Sequence, residues 1–94
     1  MSDRPRVEIL YCFKCKWLLR AAWLAQELLS TFEAEIGEVA IAPADSGVFQ
    51  VIVAGQTVWD RKVDGGFPQP KELKQRVRDV ICLLYTSPSP RDRG

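Results

Sequence analysis

Apolar positions change period along this chain, from a short continuous run to a helical stripe, then to alternation, then to a second stripe. Val7, Ile9, Leu10 and Tyr11 make a strand-prone, largely apolar run, the pattern of a strand covered on both faces. From Lys14 to Phe32 the chain has good helix formers and neither Gly nor Pro. Trp17, Ala21, Leu24, Leu28 and Phe32 recur there at helical spacing, Ala25 and Leu29 widen the stripe, and Arg20, Glu27 and Ser30 lie off its centre. The spacing predicts an amphipathic helix starting near Lys14.

Past Gly37, the run from Glu38 to Ala42 alternates and is predicted to stop at Pro43, with turn chemistry in Asp45-Ser46-Gly47. Two further strand-like runs, Val48 to Val53 and Thr57 to Arg61, flank Ala54-Gly55-Gln56 and suit an antiparallel hairpin. A loop from Asp64 to Pro70 leads into Lys71 to Ile81, where Leu73, Val77 and Val80 or Ile81 stripe a more polar helix. A strand-helix-strand unit crosses over right-handed, which makes the first two strands parallel. The predicted fold class is α/β (α+β), a four-stranded mixed sheet with two helices in the order β-α-β-β-β-α. Two helices cannot cover both faces of such a sheet, so Trp17, Trp23, Trp59 and Phe67 are candidates for apolar surface near a site. For Trp17 and Trp23, core packing is the favoured role, with Trp17 also placed to shield a disulfide.

The 94 residues, 47% hydrophobic and 27% charged, fit one domain and leave no room for a second. Thirteen basic residues are interspersed with twelve acidic ones for a formal net charge of +1, which gives no electrostatic case for nucleic acid. No apolar signal core and no run of about 18 apolar residues is present, so a cytoplasmic location and no membrane partner are expected. Residues 1–81 are assigned to the domain. Residues 82–94 turn Ser/Pro-rich without periodicity, the composition of a disordered tail. The stretch Cys82 to Asp92 also matches, residue for residue, the translation of a transposon-end adapter used in sequencing libraries. The tail is therefore read as an adapter artefact and set aside.

Three cysteines and no histidine exclude Ser-His-Asp and Cys-His hydrolytic sites. Cys12, Cys15 and the distant Cys82 supply at most three thiolates where structural zinc needs four ligands, so no metal is expected. Cys12 and Cys15 form a Cys-x-x-Cys pair after the first strand and before the amphipathic helix, the context of a thioredoxin-like redox motif. A thiol at a helix N-terminus feels unpaired N–H groups and the positive end of the macrodipole, which favours the nucleophilic thiolate. On that placement Cys12 attacks and Cys15, one turn into the helix and less exposed, resolves the mixed disulfide. Two small buried cysteines packing at a strand-helix corner are the competing reading. Gly65-Gly66-Phe67-Pro68 reads as a turn before a helix in preference to a loop beside the site. Asp60-Arg61-Lys62 and Arg76-Val77-Arg78 read as solvated faces.

The run Val7 to Cys15 and the helix segment Arg20 to Leu29 resemble the SelW-like branch of the SelT/SelW/SelH (Rdx) family. The similarity continues through Gly47 to Val51, Val58 to Lys62, Gly65 to Pro68 and Lys71 to Asp79. The resemblance implies a thioredoxin-like fold and a thiol-disulfide oxidoreductase acting on thiol or disulfide protein substrates. It implies no bound cofactor, with glutathione or a thioredoxin-type protein as reductant. Selenoprotein members carry selenocysteine at the second motif position, so this chain resembles a cysteine-containing, bacterial form in which Cys15 takes that place. That position favours Cys15 as the reactive centre where the helix-terminus argument favours Cys12, and both are candidate catalytic residues. A redox-responsive protein-binding module without turnover is the alternative function. Thioredoxins proper carry a cis-proline immediately before the strand facing the disulfide; here Gly47 precedes Val48 and Pro43 lies earlier, which implies a different mode of substrate binding.

Overall fold

Both edges of β1 (Arg6–Cys12) are taken: β2 (Glu38–Ala44) runs parallel along one and β3 (Phe49–Val53) antiparallel along the other. In the computed structural model, which describes residues 4–86, β4 (Gln56–Asp60) pairs with β3 and closes a four-stranded mixed sheet of order β2-β1-β3-β4. Helix α1 (Leu18–Phe32) makes the crossover between the parallel strands. A single turn, α2 (Arg61–Asp64), follows β4, and α3 (Pro70–Thr86) packs beside α1 and β4. This is the four-stranded mixed sheet that the periodicity predicts, with α2 added, and it is the thioredoxin-like fold that the resemblance implies.

Alternation decides which face is covered. Val7 and Ile9 of β1 and Phe49, Val51 and Val53 of β3 point to the helices and are inaccessible to solvent. Ala21, Leu24, Leu28 and Phe32 of α1 and Leu73 and Val77 of α3 meet them in one hydrophobic cluster. On the opposite face, Leu10 sits between Ala42 and Gln50, and Glu8 between Ala40 and Ile52, all only half-buried. Among the described residues no helix covers that side.

Several local features depart from the sequence reading. Helix α1 begins at Leu18 rather than near Lys14, because Phe13 to Lys16 form turns in which Lys16 takes a left-handed backbone (φ 60°) that no helix continues through. Trp23 and Leu29 are 45% and 39% exposed, so the expectations that Trp23 packs in the core and that Leu29 widens the stripe both fail. Trp59, expected among the partly exposed aromatics, is buried and donates its indole N–H to the Gly66 carbonyl at 2.9 Å.

Strand β2 runs through Pro43 to Ala44 instead of stopping at the proline, since an edge strand has one side on which no N–H is needed. The hairpin turn comprises only Ala54 and Gly55, both at positive φ (52° and 82°), the geometry of a type I′ turn matched to strand twist. Helix α3 extends to Thr86, past the expected end at Ile81. Residues 82–86 therefore continue the helix although they were assigned to the disordered tail: none of them is Gly or Pro, so the backbone ladder persists after the apolar stripe has ended. The remainder of that tail lies outside the described residues.

Candidate redox site

Strand β1 delivers Cys12 to the end of the sheet, where the chain must leave the strand and turn back over it to enter α1. The turn is Phe13-Lys14-Cys15-Lys16, held by the Lys16 N–H donating to the Phe13 carbonyl at 3.3 Å. It returns Cys15 to within 5.3 Å of Cys12, Cα to Cα, and their sulfurs are bonded. The structure thus brings the two predicted site residues together as one disulfide.

Their burial is the reverse of the expectation that Cys15 is the less exposed of the two. Cys12 is wholly buried, whereas Cys15 is half-exposed in the turn that precedes the helix. Neither cysteine lies at the helix N-terminus, so the macrodipole argument for Cys12 does not hold. A local donor stands in its place: the backbone N–H of Cys15 points to Cys12 Sγ at 3.2 Å. When the disulfide opens, that hydrogen bond is already aimed at the sulfur that becomes negative. Among the described residues no cluster of three or more potential metal ligands forms.

Two surfaces flank the pair. On one side Tyr11, Phe13, Pro43, Ala44 and Asp45 line an open groove of about 530 Å³, with Phe13 56% exposed. On the other, Trp17 stands edge-on to Phe67 at 4.8 Å and to Phe49 at 6.3 Å, and Phe49 and Phe67 lie 5.0 Å apart. The Arg20 guanidinium lies 4.2 Å from the centre of the Phe67 ring, and that of Arg61 lies 4.9 Å from Trp17 and 5.5 Å from Phe67. Distances of this size are those of cation–π contact.

The Gly65-to-Pro68 segment is therefore more than a turn before a helix: Phe67 packs on Trp17, two residues after Cys15, and on Phe49. Gly65 at φ 82° caps α2, its N–H and that of Gly66 donating to the Arg61 carbonyl at 2.9 and 3.2 Å, and this sharp reversal aims Phe67 at Trp17. Arg61 and Arg76 are likewise not on freely solvated faces. Arg76 donates to the Val58 carbonyl at 2.8 Å and to Asp64 at 3.1 Å while lying over Trp59. Position along the chain gave no sign that Arg20 and Arg61 gather at the Trp17–Phe67 wall, whereas Phe67 was signalled by the Gly-Gly-Phe-Pro motif and by the sheet face that two helices leave uncovered.

The model of the Rdx family matches residues 6–79. Among solved structures, the Selenoprotein W-related protein from Vibrio cholerae is 52% identical and superimposes with a TM-score of 0.82, covering 84% of this chain and 99% of its own. A protein from Bordetella parapertussis is 62% identical with a TM-score of 0.81, covering 83% of this chain and 99% of its own. A search of curated proteins found no significant match.

Proposed function

The chain belongs to the Rdx family, and from that premise we propose that it is a thiol-disulfide oxidoreductase in which Cys15 attacks and Cys12 resolves. The observation that carries the reading is the bonded Cys12–Cys15 pair in which Cys15 is partly exposed and Cys12 is buried. In the reduced protein the Cys15 thiolate attacks one sulfur of a substrate disulfide. That S–S bond breaks, the departing sulfur leaves as a thiolate and takes up a proton, and a mixed disulfide remains on Cys15. Cys12 then loses its proton, attacks Cys15 Sγ and expels the second substrate thiol. Two electrons and two protons pass from protein to substrate, and a thiol reductant, glutathione or a thioredoxin-type protein, restores the dithiol.

A redox titration followed by intact-mass measurement tests the proposal together with a multiple-turnover assay using a thiol reductant. The expected result is a reversible two-electron Cys12–Cys15 couple and turnover that both Cys12→Ser and Cys15→Ser abolish. A dithiol that never closes, or turnover indifferent to either serine, removes the reading. A second reading, a redox-responsive binding module, has its own support in the groove that borders the disulfide and exposes Phe13. It predicts a partner that separates the oxidised from the reduced protein without turnover. Action in the cytoplasm on thiol or disulfide proteins accords with both, and no described helix is long and apolar enough to cross a membrane.

A further inference from the structure

Two described arginines are committed to pairs of carboxylates. Arg6 bridges Glu8 and Glu38, and Arg76 bridges Asp64 and Glu72. Arg20 and Arg61 make no ion pair among the described residues, yet both are held against one aromatic wall: Arg20 over Phe67, and Arg61 over Trp17 and Phe67. The Arg61 Nε is enclosed and has no acceptor in the described protein. Leaving a charged donor desolvated and unpaired is costly, and ring contact offsets that only in part. An incoming anion cannot reach that enclosed nitrogen, but neither the Arg20 nor the Arg61 guanidinium has a carboxylate partner among the described residues, and the planar fork of donors on each suits one.

The wall adjoins the redox turn through the chain itself. Trp17 lies two residues after Cys15, and Phe49 pairs in register with Tyr11, the residue before Cys12. We infer that Arg20 and Arg61 form an anion clamp beside the Cys12–Cys15 turn, selecting disulfide substrates that carry a carboxylate close to the reacting sulfur. The inference rests on Cys15 being the attacking thiol. The covalent event it favours is the first exchange: the Cys15 thiolate bonds to one substrate sulfur, the substrate S–S bond breaks, and the other half leaves as a thiolate.

The test is stopped-flow reaction of the fully reduced protein with two chromogenic disulfides, the dianionic dithiobis-nitrobenzoate and the uncharged dithiodipyridine. A Cys82→Ser background removes the exposed third thiol. Arg20→Gln/Arg61→Gln is expected to lower the ratio of the anionic to the uncharged rate about tenfold, as loss of hydrogen bonds to a charged group implies, leaving the uncharged rate within about twofold. Arg61→Lys should keep part of the preference, and Lys14→Gln/Lys16→Gln, which removes two charges from the turn itself, should lower the ratio less than the arginine pair. An unchanged ratio in the double arginine variant, or a larger fall in the lysine variant, overturns the inference. A fold defect is separated because it would change both reagents together. Single-turnover exchange needs no reductant cycle, so a protein that showed the anionic preference but did not turn over would keep the clamp and lose the oxidoreductase reading.

Discussion

The backbone N–H of Cys15 donates to Cys12 Sγ across 3.2 Å, linking an accessible cysteine to a buried one within a single turn. The proposed order of attack follows from that difference in burial. Cys12→Ser should accumulate a persistent mixed disulfide on Cys15 when challenged with a small disulfide, because the resolving thiol is gone. Cys15→Ser should react at least about tenfold more slowly than the reduced parent, given burial of the remaining thiol. Intact-mass time courses distinguish the two, and faster modification at Cys12 would reverse the proposed order.

Phe67 joins the Gly65-to-Pro68 loop to the redox turn through ring contacts with Trp17 and Phe49. Replacing it with alanine removes both edge-on contacts and the surface against which Arg20 and Arg61 rest. Phe67→Ala should cost about 2 kcal/mol, less than truncation of a fully buried phenylalanine because this ring is only half-buried. Urea denaturation measures this, and a loss below about 0.5 kcal/mol would show that the loop is held by other means.

Asp64 supplies the acid-sensitive contact in α2. The Asp60 backbone N–H, donating at 3.0 Å, holds its carboxyl below the ordinary carboxylate range, the Arg76 guanidinium at 3.1 Å pulls in the same direction, and partial desolvation opposes them. A lowered folded-state value means that the contribution is present above the unfolded value of about 3.9 and is lost as the pH falls through the folded one. Between about pH 6 and pH 3, Asp64→Asn should therefore lose less stability than the parent. Urea midpoints at the two pH values give the comparison, and parallel losses would show that the pairing does not stabilise the fold.

Ala54 occupies a left-handed position (φ 52°) ahead of Gly55 in the β3–β4 turn. Alanine is disfavoured there, and asparagine is the residue that a type I′ turn prefers. Ala54→Asn should stabilise the protein by about 0.5 to 1 kcal/mol, read as a higher melting temperature. A lower melting temperature would show that the asparagine amide meets an unfavourable neighbour in this turn.

The sequence by itself determined the four strands, the two long helices and their order, though not the single turn α2, because alternation and helical spacing are local properties that each segment carries unaided. It also marked Cys12 and Cys15, since a two-residue spacer at a strand end suffices to bring two sulfurs together. It did not determine where α1 begins: Phe13 to Lys16 are acceptable helix residues, and the left-handed Lys16 becomes visible only once the turn closes over the end of β1. Tertiary structure therefore decided which sulfur is buried. It also decided that Arg20, Arg61 and Phe67 meet Trp17, because they come from elements far apart in the chain that share one wall only after the sheet has formed and the Gly65 reversal has set the loop against it.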